Sequence, residues 1–479
     1  MKTKEINIKK SILQREHLKK CVHSIKYKVL LLAILGINAC TDFVEIDPPK
    51  NTLVAETVFE DSETVESALA NVYVKMRDDG MVSGNFGLGL LMGSYSDELD
   101  YYNSFVEYSR IYNHGVINSS STALEWWTHA YNIIYAVNDI IIGLDQTQSL
   151  STAEINEYKG QALFVRAFIH SLLVGMYGDV PYITTTDYLK NNTVGRMSEA
   201  EVYAHVIDDL IDAIDLLGED YVVSERVIPN RWVAKALLAR IYLYTENWGL
   251  AETTASQVLD GFELEPDVAN VFLKESSEAI WQFKPDDYPD NNANEASWLI
   301  IRMIPGNYYA VTDELLSSFE EGDQRLEHWI SSFTSESDEE ITLYYAHKYK
   351  EAFYTTELSL EYTIVFRLAE QYLIRAEARA QLENISGAQQ DLNVIRNRAG
   401  LANTTAAGKA DLLDAILQER RVELFTEQGH RWFDLKRMGK ASEVLAPIKT
   451  NWKDTDVLFP IPLNEIELNP NLEPQNPGY

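Results

Sequence analysis

Apolar residues recur every three or four positions along most of the chain, as expected for helices that bury one face. Single segments with this period cover residues 63–76 and 124–144. Eight further segments form four pairs: 155–176 with 199–217, 230–245 with 248–259, 368–382 with 386–398, and 411–426 with 430–441. A helix pair of about 32 residues is close to the length of a tetratricopeptide repeat. The pattern therefore predicts an all-α-dominated fold built on a tetratricopeptide-like helical repeat scaffold.

Residues 262–363 interrupt this scaffold, because no helical period runs through them. They contain four prolines, an Asn/Asp cluster at 286–294 and strand-like patches such as 341–345. Long irregular segments inside a compact fold commonly carry function. We therefore expect a large irregular insertion that forms a ligand-binding face.

The N-terminus has the pattern of an export signal. A basic leader over residues 1–28 precedes a short apolar run at 29–37, which ends in Asn38-Ala39-Cys40. A basic region, an apolar region and small residues at the end define a cleavable signal peptide. The run is too short for a membrane-spanning helix, which disfavours the alternative of an uncleaved anchor. We predict cleavage before Cys40, lipidation of Cys40 and a polar tether over residues 40–51.

Charge and cysteine content narrow the function. The chain carries 73 acidic and 41 basic residues, a formal net charge of −32. Because nucleic-acid affinity comes from neutralised phosphates, such a chain is not expected to bind nucleic acid. The two cysteines are Cys21, which lies in the leader, and Cys40. The mature chain therefore has no cysteine left for a disulfide or a thiolate metal site, and the composition predicts no cofactor.

No motif indicates catalysis or a metal site. The histidines form no H-E-x-x-H pair, and no G-x-S-x-G elbow is present. Gly87, Gly89 and Gly93 have the wrong spacing for a dinucleotide-binding turn, so residues 80–93 are predicted to form a mobile loop. The alternation at 290–294 begins like a calcium loop but lacks its later glycine and glutamate, which favours a solvated polar loop. We predict no catalytic and no metal-binding residue, although a distant pair of carboxylates for glycoside hydrolysis stays open.

A dense set of charges near the C-terminus has two interpretations. Its members alternate with apolar residues between 419 and 435 and are Glu419, Arg420, Arg421, Glu423, Arg431 and Asp434. An active site is conceivable. We favour a structural role, in which these charges pair with one another among packed helices.

Aromatic residues outside the helical stripes are the candidate ligand-binding residues. They are Tyr101, Tyr102, Tyr108, Tyr288, Trp298, Tyr308 and Tyr309. A flat aromatic face with a polar edge suits a sugar ring, which presents apolar and hydroxyl surfaces. The alternative is that each ring only packs its own loop.

Several segments resemble the SusD/RagB family of outer-membrane nutrient-binding lipoproteins. Residues 159–181, KGQALFVRAFIHSLLVGMYGDVP, are similar to a signature helix and turn of that family. Residues 367–401, the block ERRVELFTEQGHRWFDLKRM at 419–438 and the tail at 459–479 resemble its later motifs. Ser96-Asp97-Glu98 also agrees with the family pattern. The resemblance covers nearly the whole mature chain in order.

The resemblance implies four tetratricopeptide-like helix pairs and an irregular half that holds the ligand. It implies lipid anchoring in the outer leaflet of the cell outer membrane, exposed at the surface. The implied partner is a SusC-like TonB-dependent transporter, over which the protein would act as a hinged lid. Most members bind oligosaccharides and some bind peptides, and no ligand residue lies in the shared motifs.

The expected organisation follows from these features. It comprises a signal peptide at 1–39, a lipidated tether at 40–51, an N-terminal SusD-like helical region at 52–261, the insertion at 262–363 and a C-terminal SusD/RagB-like region with its tail at 364–479. The expected protein is not an enzyme but a surface lipoprotein that binds oligosaccharides and delivers them to the transporter. The alternatives are a peptide-capturing member of the same family and a surface glycoside hydrolase.

Overall fold

The computed structural model describes residues 58–479, except 103, 287–291, 307, 337–339 and 352–358. The predicted signal peptide, Cys40, the tether and Tyr288 lie outside the described residues. None of the described helices is both long and apolar enough to span a bilayer.

Helices dominate the described part of the chain, and we number them in chain order. They are α1 (Ser62–Asp78), α2 (Leu88–Tyr95), α3 (Val106–Tyr112), α4 (Ser121–Gln146), α5 (Thr152–Tyr177), α6 (Tyr188–Asn191), α7 (Glu199–Leu216), α8 (Arg231–Tyr244), α9 (Trp248–Leu259), α10 (Ala296–Leu299), α11 (Asp313–Leu316), α12 (Gln324–Trp329), α13 (Leu368–Gln381), α14 (Ile385–Arg398), α15 (Lys409–Leu424), α16 (His430–Arg437), α17 (Ala441–Leu445) and α18 (Leu463–Leu468).

The four predicted helix pairs are present: α5 packs on α7, α8 on α9, α13 on α14 and α15 on α16. The all-α-dominated, tetratricopeptide-like prediction is thus confirmed. Local sequence signals start α5 and α7, because Ser151 and Ser198 each form a capping box with the glutamate three residues later. Close packing depends on Gly160 of α5, where a Cβ atom would lie 2.7 Å from Leu217 Cγ.

Six short strands form three antiparallel pairs in the described part of the chain. The strands are β1 (Leu99–Tyr102), β2 (Ala279–Phe283), β3 (Tyr308–Val311), β4 (Ile330–Thr334), β5 (Thr342–Ala346) and β6 (Thr363–Arg367). β1 pairs with β3, β2 with β6 and β4 with β5. β2 and β6 are wholly buried and adjacent, so the chain that enters α13 after β6 is paired with an early part of the 262–363 segment.

Only the first half of the glycine-rich segment is a loop, because residues 80–87 form turns and bends. The second half is not the loop that its composition predicted, since residues Leu88–Tyr95 form the buried helix α2. A Cβ atom at Gly89 would lie 2.6 Å from the backbone oxygen of Thr426, so the glycine allows a close backbone approach. The tyrosine-rich stretch after it forms β1 and α3.

A buried ion pair joins three of the helices. Arg166 of α5 donates to both carboxylate oxygens of Asp209 of α7, at 2.7 and 2.6 Å. Its third contact is a 2.9 Å hydrogen bond to Asn138 Oδ1 of α4. Tyr182 also donates to Asp209. Since a buried charge without a partner is costly, the pair stabilises only when it is complete.

We expect Asp209→Asn to lower the free energy of unfolding by about 3–5 kcal/mol, because it leaves the Arg166 guanidinium buried without a counter-charge. Urea denaturation at neutral pH, followed by circular dichroism, measures this. The exposed neighbour Asp208 provides a matched control, and Asp208→Asn should change stability by less than about 0.5 kcal/mol. Equal losses in the two variants would contradict the role of the ion pair.

Candidate functional site

The pairing of β1 with β3 brings together most of the aromatic residues predicted to bind a ligand. Its register places Tyr101 opposite Tyr309 and Tyr102 opposite Tyr308. The ring centroids of these two pairs are 5.2 and 5.1 Å apart. Together with two residues of the chain that follows β1, these rings form an aromatic ridge, which we define as Tyr101, Tyr102, Phe105, Tyr108, Tyr308 and Tyr309.

The two faces of this strand pair differ in exposure. On one face Tyr101 contacts Tyr309 and also Tyr108, whose ring centroid lies 6.2 Å away. Tyr309 is 2% exposed and belongs to the apolar core under the strands. On the other face Tyr102 is 41% exposed, whereas Tyr308 is 8% exposed. Tyr102 therefore presents its ring to solvent, and Tyr308 supports it from the side.

The remaining predicted residues have different surroundings. Trp298 of α10 is half-buried against the same core as Tyr309. Tyr288 lies outside the described residues. The ridge also includes Phe105, which our sequence analysis missed, although its ring is 57% exposed and packs 6.0 Å from that of Tyr108. The sequence did indicate Phe105 as a candidate, because Phe105-Val106 is an apolar pair next to the polar residues 103–104.

Buried ion pairs hold β1 against the helical scaffold. Asp97, two residues before β1, accepts a 2.7 Å hydrogen bond from Arg431 Nε of α16. Its other oxygen lies 2.7 Å from a guanidinium nitrogen of Arg421. Burial alone would raise the pKa of Asp97, but the hydrogen bonds and charge of Arg431, with the charge of Arg421, hold that pKa below its usual value. The base of the ridge is therefore a fixed point.

Glu98 occupies the position between this anchor and β1. One carboxylate oxygen accepts a 3.1 Å hydrogen bond from the Thr426 backbone N–H, and the other has no hydrogen-bond partner among the described residues. Burial raises the pKa of Glu98 to about 8, and the negative charge of Asp97 adds to that rise. The Glu98 backbone oxygen accepts from the Thr312 N–H at 3.1 Å, which extends the contact between the two strand segments.

The charged residues between 419 and 435 are buried in ion pairs, in agreement with the structural interpretation of that cluster. Glu423 pairs with Arg325, Arg367 and Arg398. Arg420 donates to Asp434 at 2.6 Å. Arg420 and Asp434 thus pair within the set, whereas Glu423 pairs with arginines outside it.

In the segment that begins like a calcium loop, the described asparagines at 292 and 294 donate hydrogen bonds to backbone oxygens of other segments. Asn294 Nδ2 donates to the Arg77 backbone oxygen at 3.2 Å, and Asn292 Nδ2 donates to the Glu351 backbone oxygen at 3.0 Å. Within the described ranges, no three His, Cys, Asp or Glu side chains lie in an arrangement that would hold a metal ion.

Two family descriptions match successive parts of the chain. One, "SusD family", matches residues 317–479, and the other, "Starch-binding associating with outer membrane", matches residues 42–243. Among individual relatives, the chain is 27% identical to SusD-like protein P2 of Formosa agariphila, over 95% of this chain and 99% of that protein. It is 23% identical to SusD-like protein P25 of the same organism, over 94% of this chain and 98% of that protein.

Solved structures share the fold over most of the chain. A SusD superfamily protein from Parabacteroides distasonis has a TM-score of 0.76 and 23% identity, covering 89% of this chain and all of that one. A protein described as "Laminarin binding SusD-like protein" has a TM-score of 0.75 and 24% identity, covering 88% of this chain and all of that one. The described helices and strands of the present chain thus have the arrangement found in these structures.

The buried carboxyl of Glu98 predicts a dependence of stability on pH. Its pKa is raised on folding, so its contribution to stability is fully present below the carboxyl's ordinary pKa and is lost as pH rises through about 8. Glu98→Gln cannot ionise. We therefore expect the melting temperature of Glu98→Gln relative to that of the native chain to rise by about 2 °C or more between pH 5 and pH 9, as measured by differential scanning calorimetry.

Glu467 provides the control, because it is exposed on α18. Glu467→Gln should shift the melting temperature equally at both pH values. A parallel shift in Glu98→Gln would show that Glu98 is ionised throughout this pH range in the folded chain.

Proposed function

The chain belongs to the SusD/RagB family, and on this premise we propose that it is a surface lipoprotein that binds oligosaccharides and delivers them to a SusC-like TonB-dependent transporter. The observation that carries the proposal is the exposed ring of Tyr102, which is supported by Tyr308 and stands on an anchored strand pair. The proposed role is capture and transfer without chemical change of the glycan.

The ridge has the properties that a sugar-binding surface needs. A sugar ring buries its C–H face against an aromatic ring, and its hydroxyl groups bond to polar groups at the edge. Tyr102 and Phe105 expose ring surface, and Asp100 of β1, two residues before Tyr102, places a carboxylate on the same face of the strand as Tyr102. A protein of similar fold is described as laminarin-binding, which supports a glycan as the ligand class.

The rigid support of Tyr102 favours ligand binding, although its exposed ring surface is small. Tyr102 lies on a strand that is paired to β3, and the chain just before β1 is fixed by Asp97 to Arg431 and Arg421. An aromatic ring held in place by its surroundings loses little conformational freedom on binding, so more of the contact energy appears as affinity. The proposed ligand face thus combines residues of the 52–261 region with residues of the 262–363 insertion.

The family and the N-terminal pattern support the proposed location and the proposed partner. The segment 42–243 matches a family description that includes association with the outer membrane. Lipidated Cys40 and the tether at 40–51 would anchor the protein while letting it move over the transporter. A long polar tether with Pro48-Pro49 would act as a semi-stiff spacer.

Two alternatives differ from this proposal in a measurable way. A peptide-capturing protein would bind oligopeptides and not glycans. A surface glycoside hydrolase would release reducing ends, so a reducing-sugar assay on each glycan that binds separates it from a binder. Release of sugar at a rate above that of a no-protein control would contradict the non-enzymatic role.

We expect Tyr102→Ala to weaken binding of the cognate oligosaccharide about tenfold or more, because it removes the exposed stacking surface. Isothermal titration against laminarin, starch, xylan, mannan and host-type glycans, together with an oligopeptide mixture, identifies the ligand class and measures the loss. Trp298→Ala should weaken binding as well if its half-buried ring contributes a contact.

Tyr102→Phe keeps the ring and is the matched control, with affinity expected within about threefold of the native value. The melting temperature of Tyr102→Ala should fall by no more than a few degrees, since the side chain is 41% exposed. Unchanged affinity in Tyr102→Ala, or binding of peptides with no glycan bound, would refute the proposed ligand site or its ligand class.

Replacing Cys40 by alanine should release the protein from the membrane, because the proposed lipid attaches to that thiol. Fractionation of cells that produce Cys40→Ala should move the protein from the outer-membrane fraction to a soluble fraction, with circular dichroism unchanged. Cys21→Ala is the control, since Cys21 lies in the proposed leader and its loss should leave the protein anchored. Persistent membrane association of a cleaved Cys40→Ala chain would disprove the anchor.

A further inference from the structure

A cavity lies outside the aromatic ridge, and no residue of the ridge lines it. It has a volume of about 450 Å³, and its walls come from α4, the segment 181–192, α18 and the 3₁₀ turn Pro470–Leu472. Pockets of a few hundred cubic ångströms are the size that binds small ligands. The tail of the chain thus closes one side of a cavity whose other walls belong to the helical scaffold.

Aromatic rings line this cavity at two levels. Trp127 and Tyr131 of α4 form its inner part, with ring centroids 4.9 Å apart, and the Tyr131 hydroxyl donates to the Pro181 backbone oxygen at 2.8 Å. Nearer the solvent, Tyr135 is 50% exposed and Tyr188 is 65% exposed. Two tyrosines with exposed faces at one opening resemble the surface that a sugar ring requires.

Amide side chains supply the polar groups of the cavity wall. Asn191 Nδ2 donates to the Thr185 backbone oxygen at 2.8 Å, which fixes the orientation of the amide. Its Oδ1 atom is buried and out of reach of a ligand, so Asn191 forms a fixed part of the wall. Asn132 and Asn192 add further amides to the lining.

The charge of the lining narrows the ligand class. Glu465 is half-buried, and burial raises its pKa although the side chain of Trp127 hydrogen-bonds to it. Among the described residues that line the cavity, none is a lysine, an arginine or a histidine. A phosphate, a sulfate or a uronic acid would therefore meet a carboxylate and no balancing charge. A neutral, hydroxyl-rich ligand has the complementary chemistry.

We propose that this cavity is a second saccharide-binding pocket, which takes a neutral sugar unit between Tyr135 and Tyr188, with its hydroxyl groups bonded to the exposed amide of Asn132. The choice of a saccharide rests on the proposed function, whereas the position and the neutral charge of the ligand rest on the cavity. A chain with two sites could hold one oligosaccharide at two points or two at once. Linked contacts of this kind raise the overall affinity without any stronger single contact.

The test uses the Tyr102→Ala background, in which the ridge is impaired. We expect isothermal titration to detect binding of at least one probe from a panel of methyl glucoside, methyl galactoside, methyl mannoside, maltotriose, laminaritriose, cellotriose and xylotriose. Adding Tyr135→Ala or Asn132→Ala should each weaken that binding about tenfold. Both residues are exposed on α4, so the two variants keep the helix that forms the pocket wall.

Two substitutions serve as matched controls. Tyr188→Phe keeps the ring and should bind within about threefold of the parent. Leu189→Ala removes an equally exposed neighbour that does not line the cavity, and it should leave the affinity unchanged. A crystal soaked with the bound probe should show the sugar between Tyr135 and Tyr188.

The result separates the two assignments. Absence of binding by every probe, or binding that Tyr135→Ala and Asn132→Ala leave unchanged, would overturn the second pocket. If the ridge does not bind glycans, Tyr102→Ala will bind long oligosaccharides as tightly as the native chain does. In that case the pocket variants still decide the second assignment independently.

Discussion

The buried charge cluster around Glu423 is the constraint on which the rest of the structure depends. Glu423 lies in α15 and pairs with Arg325 from the insertion, Arg367 at the end of β6 and Arg398 at the end of α14. Burial alone would favour the neutral acid, but these three guanidinium groups hold the pKa of Glu423 well below its usual value. A charge removed from water costs several kcal/mol unless its partners are in place. The cluster is therefore stable only when insertion and helices adopt one arrangement.

Buried ion pairs also support the proposed ligand face. Asp97, which precedes β1, is held by Arg421 and Arg431 from the helices that flank the Glu423 cluster. β1 then pairs with β3 of the insertion, so the exposed ring of Tyr102 stands on a base fixed from two sides. A binding residue on a rigid support keeps its geometry without a large loss of conformational entropy. The charged motifs that resemble the family thus act as structural supports, while the proposed ligand contacts lie on segments outside those motifs.

The aromatic ridge and the cavity at Tyr135 and Tyr188 would give the protein two places at which to contact a flexible glycan. The ridge is an exposed surface, whereas the cavity encloses about 450 Å³ and contains a fixed amide. A surface suits internal units of a long glycan, and a cavity suits a unit that can enter it. Such a division of contacts would let a lipid-anchored protein hold a ligand while its position over a transporter changes.

The sequence by itself determined the helices, because their apolar period and their caps are local features that neighbouring residues decide. It also indicated the family, through motifs that occur in order along the chain. Only the tertiary structure decided which aromatic rings face solvent. Tyr308 and Tyr309 are buried while Tyr102 and Phe105 are exposed, although all lie in similar irregular stretches of sequence. Exposure depends on contacts between distant segments, such as β1 with β3. For the same reason Gly89 and Gly93 lie in a buried helix, which packs against the distant residue Thr426.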